Sequence, residues 1–192
     1  MRFDLEENKK YGILLSGGLD SAVLLYLLLQ SNSAINLQPF TIPKKDGSAN
    51  YAIMVVNHFN NKFSLAIPQP IMVGNPDAHH TKQSTSAIVE IFHKHNVDYL
   101  YMGVNTNPPE LDSLEGAPRR FLNSPNPKLV YPFAQLIKDQ VLKIMFDEDQ
   151  ADLANVTHSC TEQRVGRCNQ CWQCKERAWA FNKLHKTDTG TL

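Results

Sequence analysis

Two sets of residues in this 192-residue chain have types and spacings that could do chemistry. The first is the segment SGGLDS at positions 16–21, which lies between two apolar runs. The second comprises the four cysteines of the chain, which fall within 15 positions, 160–174. A glycine-rich turn before a helix is typical of phosphate binding, and clustered cysteines are typical of a metal site.

The glycine pair Gly17 and Gly18 predicts a tight turn between a strand and a helix. Glycine has no Cβ, so its backbone can take positive φ angles and approach a ligand closely. The first N–H groups of the helix lack partners within it, and the helix dipole adds positive potential at the preceding turn, where Leu19 is also expected to bind the ligand. Ser16 and Ser21 can donate hydroxyl hydrogen bonds. The segment therefore predicts a site for the phosphate groups of a nucleotide.

Asp20 is the one anion of this segment, and a carboxylate repels a phosphate unless a cation lies between them. Mg²⁺ bound by the carboxylate and by phosphate oxygens removes the conflict, so we expect the phosphate to bind with Mg²⁺. The segment is not a Walker motif, because no Gly-Lys-Ser/Thr follows, and it lacks the G-x-G-x-x-G spacing of dinucleotide folds. The alternative is a turn whose glycines serve packing alone.

The cysteines are separated by gaps of seven, two and two residues. Four thiolates close a tetrahedron around one ion and leave no open position, so we expect a structural Zn²⁺ site. An iron–sulfur cluster is the rival, and four unrelated buried thiols are the remaining alternative. Nearby basic residues are expected to offset the thiolate charge. The expected ligands are Cys160, Cys168, Cys171 and Cys174, and the expected counter-charges are Arg164, Arg167, Lys175 and Arg177.

The charge balance excludes a strong electrostatic field, because Lys plus Arg and Asp plus Glu both number 19. We therefore expect neither direct nucleic-acid binding nor membrane binding. The longest apolar run, 22–29, is far shorter than the roughly 20 residues that span a bilayer. The charged N-terminus lacks an apolar signal-peptide core, so we expect a cytoplasmic protein, whose thiols stay reduced.

Short apolar strand patterns alternate with helical patterns along the chain. This alternation predicts an α/β fold of the Rossmann-like kind, a parallel sheet with helices on both faces. We expect a single domain over 1–192, with a zinc-stapled C-terminal subregion over 158–184. The expected strands are 11–15, 35–42, 67–74 and 97–104, and the expected helices are 21–30, 48–63 with Ser48 as N-cap, and 85–96. A proline-rich loop over 105–128 is expected to be functional or mobile.

The SGGLDS segment resembles the pyrophosphate-binding signature of the N-type ATP pyrophosphatases, the PP-loop superfamily. The resemblance implies an adenine nucleotide alpha hydrolase-like fold and cleavage of ATP between its α and β phosphates. It also implies that a substrate oxygen is adenylated, that pyrophosphate leaves, and that a nucleophile then displaces AMP.

The segment HSCTEQRVGRCNQCWQCKERAWAF resembles the C-terminus of the 7-cyano-7-deazaguanine synthase family. That family ends in Ser-Cys, Cys-x-x-Cys-x-x-Cys and then an arginine, here Arg177. The segment VYPFAQLIKDQVLKI resembles the family's preceding segment, with Lys138 as the matching lysine that can reach a phosphate. The resemblance implies an ATP-dependent ligase that forms a carbon–nitrogen bond. The implied reaction converts 7-carboxy-7-deazaguanine and ammonia to the amide in queuosine-type biosynthesis, and the further step to the nitrile stays open.

Asp112, Arg119 and Arg120 lie where this family has its substrate loop. The planar fork of arginine suits a carboxylate and stacks on a ring, although solvated loop arginines are the alternative. No glutamine-hydrolysing domain fits in this chain, so ammonia is expected to be free or supplied by a partner. A homodimer is left open.

Two segments depart from the family. PKKDGSANY stands in place of its Tyr-Gly-Gln motif, and VGNPDAHHTKQST stands in place of its Pro-Gly-Arg-Asn-like segment. Two alternatives therefore stay open. One is another PP-loop ligase, such as a tRNA-thiolating enzyme, and the other is a nucleotide-binding module without catalysis.

Overall fold

The computed structural model describes residues 1–78, 80–118, 120 and 124–190. The strands are Lys10–Leu14 (β1), Asn36–Thr41 (β2), Ile71–Met72 (β3), Tyr99–Met102 (β4) and Leu129–Val130 (β5). The helices are Leu19–Ser31 (α1), Ser48–Phe63 (α2), His80–Lys94 (α3), Pro109–Asp112 (α4), Lys138–Asp147 (α5), Leu153–Val156 (α6) and Trp172–Lys183 (α7). Among the helices described, none has the length and apolar character needed to cross a bilayer.

The five strands form one parallel sheet in the order β3-β2-β1-β4-β5. The chain builds outward from β1 to β2 and β3, then returns past β1 to add β4 and β5. The strand order therefore reverses between β1 and β4. In open α/β sheets, the crevice at the carboxyl ends of the strands beside such a reversal is where ligands bind. The parallel sheet predicted from the sequence pattern is confirmed.

Alternate residues of the central strands enter two separate cores. Tyr11 and Ile13 of β1 pack in the larger core with apolar residues of α1 and α2. Leu14 of β1 and Leu100 of β4 pack in the smaller core with Ile91 of α3. Helices thus cover both faces of the sheet, as right-handed crossovers require when the direction of strand addition reverses.

Helix α1 is apolar on nearly all sides because other elements enclose it. Leu24, Leu25, Leu27 and Leu28 have no exposed surface, and α5 and α6 contact the helix on the side away from the sheet. A helix that is hydrophobic all round is a buried helix. Its N-terminus, which begins the candidate phosphate site, is therefore fixed by packing.

Two local predictions were wrong. Ser48 is not an N-cap: Gly47 caps α2 with a left-handed φ of 78°, and Ser48 donates its backbone N–H to Asp46 Oδ1 at 2.9 Å. The third strand also pairs only over Ile71–Met72, much less than 67–74. The prolines Pro68 and Pro70 have no N–H to donate to a sheet, which explains the shortened pairing.

Buried Arg177 ties the C-terminal tail to α7. Its guanidinium is 1% exposed and donates to both carboxylate oxygens of Asp188, at 2.7 and 2.9 Å. It also donates to the carbonyls of Thr157 at 3.2 Å and Ala154 at 3.0 Å. Burial alone would raise the pKa of Asp188, but hydrogen bonds and charge from Arg177 and Arg167 hold that pKa below its usual value.

We expect Arg177→Ala to destabilise the fold by about 3 kcal/mol, because it removes the main partner of a buried carboxylate. Lys143→Ala is the control, since it breaks an exposed pair with Asp147, whose loss costs about 0.5 kcal/mol or less. Urea unfolding of both variants measures the difference. Equal losses in the two variants would contradict a structural clamp at Arg177.

Candidate active site

A cavity of about 260 Å³ opens at the carboxyl ends of β1 and β4. Four parts of the chain line it: the turn before α1, the segment after β4, the loop before α2, and the region from His158 to Glu176. Lys138, at the start of α5, completes the wall. These parts are far apart in sequence, so only the folded chain brings them together at the point where the strand order reverses.

The turn between β1 and α1 is held by its own hydrogen bonds. Ser21 Oγ donates to the Gly18 carbonyl at 3.0 Å and accepts from the Ser16 N–H at 3.2 Å. Ser16 Oγ accepts from the Gly18 N–H at 3.3 Å. Among the residues that the structure describes, no side chain caps α1, so its first-turn N–H groups remain available to a ligand. The hydroxyl of buried Ser21 therefore shapes the turn, whereas Ser16, Gly18 and Asp20 line the cavity.

Two glycines allow the backbones around this turn to approach closely. Gly17 has φ +75°, and a Cβ on it would lie 2.5 Å from the Ser48 carbonyl oxygen. A Cβ on Gly103, just after β4, would lie 2.9 Å from the backbone of Asp20. Gly103 was not predicted from the sequence. The feature that could have revealed it is a glycine directly after a strand of a parallel sheet, where ligands and helix termini meet.

Asp20 and Lys138 are 118 positions apart and form an ion pair in the cavity wall. Lys138 Nζ lies 2.6 Å from Asp20 Oδ2, and the lysine side chain is only 5% exposed. The other oxygen, Asp20 Oδ1, is buried and has no hydrogen-bond partner among the residues that the structure describes. Leu19 is fully buried in the core, so its side chain anchors α1 and does not face the cavity.

Arg120 forms a second ion pair in the cavity wall, with Glu176. Arg120 Nη2 donates to Glu176 Oε1 at 2.8 Å, and its Nη1 donates to the carbonyl and side-chain oxygens of Asn105. The guanidinium lies 4.8 Å from the ring centroid of Trp172. Burial raises the pKa of Glu176, although the charges of Lys138 and Arg120 oppose that shift. Arg120 was predicted from the sequence and Glu176 was not, although it is an acidic residue on the helix that follows the clustered cysteines.

The other predicted substrate residues do not reach the cavity among the parts of the chain described. Asp112 is exposed, and its Oδ1 accepts a hydrogen bond from Asn107 Nδ2 at 2.8 Å. Arg119 lies outside the described residues. Substrate roles for Asp112 and Arg119 stay predictions.

The four cysteines meet at one point, as predicted. The sulfurs of Cys160, Cys168, Cys171 and Cys174 all lie within 4.8 Å of one another, and this arrangement can hold a metal ion. The backbone N–H groups of Cys171 and Gln170 donate to Cys168 Sγ at 3.2 and 3.4 Å, and they lower the pKa of this thiol to about 6. Burial raises the pKa of Cys174.

Three arginines expected to balance the sulfur charge have other partners. Arg167 and Arg177 both pair with Asp188, and Arg164 donates to the Lys45 carbonyl at 2.9 Å. The donors to Cys168 are backbone N–H groups, whereas cationic side chains were predicted from the sequence.

The cysteine-bearing segment forms one wall of the cavity. His158 donates its backbone N–H to the Gly17 carbonyl at 2.9 Å, and its ring stacks on Tyr51 with centroids 4.4 Å apart. Cys160 itself lines the cavity. A metal bound by the cysteines would therefore hold the chain that supports the turn at Gly17.

A second cavity of about 170 Å³ adjoins the first and shares Ser16 and Gly103 with it. Its other walls include the apolar side chains of Leu14, Ile42 and Met102. This pair of cavities offers an apolar slot beside a polar, charged chamber. Such a combination suits a ligand with a flat ring at one end and polar groups at the other.

No family model and no curated protein matches the chain. Among solved structures, the U34-tRNA thiolase NcsA from Methanococcus maripaludis with its [4Fe-4S] cluster is 17% identical over 94% of this chain and 69% of that chain, with a TM-score of 0.49. FMN adenylyltransferase from Candida glabrata, in complex with FAD and inorganic pyrophosphate, is 16% identical over 72% of this chain and 48% of that chain, with a TM-score of 0.42. Neither likeness identifies a ligand or a reaction of this chain.

The two glycines of the turn should respond differently to alanine. Gly17→Ala places a Cβ against backbone at a positive φ, so we expect it to cost about 1–3 kcal/mol of stability. Gly18 has φ −90°, and its added Cβ would meet atoms only at 3.4 Å and beyond. Gly18→Ala should therefore stay within about 0.5 kcal/mol of the parent chain. Denaturant unfolding compares the two, and a larger loss for Gly18→Ala would refute this backbone geometry.

Proposed function

We propose that this chain is a PP-loop ATP pyrophosphatase that adenylates a carboxylate substrate and transfers it to nitrogen. The observation that carries the proposal is the uncapped N-terminus of α1, which follows a positive-φ glycine turn and opens into a polar cavity at the strand-order reversal. Free N–H groups at a helix N-terminus, with the helix dipole behind them, bind phosphate.

The charges around the cavity support a requirement for Mg²⁺. Its lining includes as many cationic as anionic residues, so the lining is neutral overall. The cationic residues are Lys44, Arg120 and Lys138, and the anionic residues are Asp20, Asp46 and Glu176. A polyphosphate in a neutral cavity needs positive charge besides the helix N-terminus. Asp20 Oδ1 has no partner among the described residues, and a carboxylate oxygen is the hard donor that Mg²⁺ prefers. Mg²⁺ would neutralise the negative charge that develops on the leaving pyrophosphate.

Each part of the nucleotide has a matching surface. The apolar slot beside Ile42 and Met102 suits the adenine ring, and the α1 N-terminus suits the phosphates. Lys138 is held by Asp20 at the cavity wall, where its ammonium group can contact a phosphate oxygen and stabilise it. The remaining polar volume beside Arg120 would then receive the acid.

For the acid we propose 7-carboxy-7-deazaguanine, with ammonia as the nucleophile and an amide as the first product. The support is the resemblance of the segments around Lys138 and the four cysteines to the 7-cyano-7-deazaguanine synthase family. Arg120 stacks on Trp172 and keeps part of its donor set free of partners among the described residues, which suits a planar acid. Another PP-loop ligase is the alternative, and the identity of the acylated product separates the two.

We propose that the cysteines hold zinc. A tetrahedral ion with bonds of about 2.3 Å to sulfur sets its ligands about 3.8 Å apart, which agrees with four sulfurs inside a 4.8 Å limit. A [4Fe–4S] cube binds each thiolate through a different iron, so its four sulfurs lie farther apart. With every position filled by protein, the ion would have a structural role.

Elemental analysis should find one zinc per chain and neither stoichiometric iron nor acid-labile sulfide. Cys171→Ser should lose the zinc and much of the stability, because the binding free energy of a structural zinc is folding free energy. A brown protein with stoichiometric iron and sulfide would refute the zinc assignment. Ser33→Ala, far from the cysteines at the opposite end of the sheet, should keep the full zinc content.

Asp20→Asn should abolish pyrophosphate release from ATP in the presence of the acid and ammonia, while the chain stays folded. Asparagine keeps an oxygen that can accept from Lys138 but removes the charge needed for Mg²⁺. We expect a fall of at least about 100-fold in rate. The measurement is pyrophosphate release with 7-carboxy-7-deazaguanine, followed by mass spectrometry of the product.

Asp77→Asn is the matched control, because among the described residues its exposed side chain pairs only with exposed Lys45 at 3.8 Å. It should keep the parent rate. Parent-like turnover in a folded Asp20→Asn protein would refute the proposed metal role. Binding of ATP without acid-dependent pyrophosphate release, for every deazapurine acid tried, would favour a non-catalytic nucleotide-binding module.

A further inference from the structure

Asn105 carries a buried amide nitrogen that the fold leaves without a partner. The residue follows β4, is 2% exposed and lines the larger cavity. Its Nδ2 is buried and has no hydrogen-bond partner among the residues that the structure describes. A buried donor without an acceptor costs free energy, so most buried polar groups have partners. An exception in a cavity wall indicates an acceptor that a ligand supplies.

Arg120 determines which end of this amide is free. Its Nη1 donates to both the side-chain oxygen and the backbone carbonyl of Asn105. A guanidinium has only donors, so the amide atom that it contacts must be the oxygen. The nitrogen is therefore the atom left over, and both of its N–H groups are available to an acceptor.

The chain on both sides of Asn105 is held in place. Gly103 lies so close to the first turn of α1 that an added Cβ would be 2.9 Å from the backbone of Asp20. On the other side, Thr106 donates its backbone N–H to the Leu136 carbonyl at 2.8 Å and its hydroxyl to the Ala134 carbonyl at 2.7 Å. A donor on such a fixed segment needs no reorganisation when negative charge develops beside it.

Asn105 lies between the parts of the cavity that the proposed substrates would occupy. The segment that carries it begins at Gly103, against the turn of α1 proposed to hold the phosphates. Its side chain contacts Arg120, which borders the polar volume proposed for the acid. Adenylation joins the acid to the α-phosphate, so the new acyl–phosphate bond has to span these two places. The acyl group would therefore lie beside Asn105.

We propose that Asn105 is a catalytic residue whose Nδ2 donates a hydrogen bond to the acyl oxygen of the adenylated acid. This inference rests on the function proposed above. The lone pair of ammonia forms the C–N bond, and the π electrons of the C=O bond move onto the acyl oxygen. When C=O forms again, the C–O bond to AMP breaks and AMP leaves with the electron pair. One N–H proton passes to solvent, and the product is the amide.

The hydrogen bond from Asn105 matters most in the second half-reaction. During adenylation a carboxylate oxygen attacks the α-phosphorus, and no new charge develops at the acyl carbon. Attack by ammonia places a full negative charge on the acyl oxygen, where a fixed donor stabilises it. An interaction that strengthens in the transition state raises kcat rather than lowering KM. The two half-reactions should therefore separate when only this donor is removed.

The test is Asn105→Ala, which keeps the backbone carbonyl that Arg120 contacts. Acid-dependent exchange of labelled pyrophosphate into ATP measures adenylation, and mass spectrometry measures the amide formed at saturating 7-carboxy-7-deazaguanine and ammonia. We expect kcat for the amide to fall by about 100-fold, because one oxyanion donor is lost. The exchange should stay within about threefold of the parent.

Asn105→Asp separates this role from mere support of Arg120. The aspartate keeps an oxygen for the guanidinium and has no N–H to donate. It should lose at least as much kcat for the amide as the alanine variant. A residue that only holds Arg120 in place would give the opposite result, with parent-like amide formation in Asn105→Asp.

The control is Asn61→Ala, the same change at an exposed position of α2, which should leave both rates unchanged. If exchange and amide formation fall together in Asn105→Ala, the residue binds the substrates for adenylation and the proposal is wrong. Parent-like amide formation also overturns it. If the alanine variant does not fold, Asn105→Asp alone decides, with the same selective loss expected.

A failure of the proposed function gives a different result. The parent chain itself would then show no acid-dependent exchange, and the role of Asn105 would be rejected with that function. A parent chain that exchanges pyrophosphate but forms no amide from ammonia would reject the role of Asn105 and leave adenylation standing.

Discussion

The close contact between the end of β4 and the first turn of α1 is the constraint on which the candidate site depends. A Cβ at Gly103 would lie 2.9 Å from the backbone of Asp20, so these segments meet without a side chain between them. The contact places the loop after β4 against the free N–H groups of α1. It also orients Asp20 toward Lys138, which arrives from α5. The proposed nucleotide-binding and substrate-binding surfaces thus share one boundary, at the strand-order reversal.

The C-terminal region supports this contact from the outside. The cysteine-bearing segment reaches the turn through the bond from the His158 N–H to the Gly17 carbonyl, and α7 carries Glu176 into the cavity. Arg177 then secures the tail through Asp188. A metal bound by the cysteines would stabilise a cavity wall directly, so metal binding and the geometry of the phosphate site are coupled through a short stretch of chain.

The sequence predicted most of the elements because their patterns are local. The alternation of strands and helices, the glycine turn at Gly17 and the cysteine spacing each depend on neighbouring residues, and the parallel sheet and the sulfur cluster followed from them. Gly103 and Glu176 were missed because their importance comes from tertiary contacts. Arg167 was assigned to the sulfur charge, yet its partner is Asp188, which no local pattern reveals.

The alternation of charges explains how the lining of one cavity can be neutral overall and strongly charged locally. Asp20 pairs with Lys138, and Glu176 pairs with Arg120, so Lys138 and Arg120 each have an anion beside them before any ligand binds. Each of these pairs is largely desolvated, and a desolvated charge is stable only with its partner in place. The free carboxylate oxygens then differ in environment. Asp20 Oδ1 lies beside the turn at Gly17 and Gly18, whereas Glu176 lies against Arg120, whose guanidinium is close to the ring of Trp172. The two carboxylates therefore offer a ligand two different surroundings within one neutral cavity.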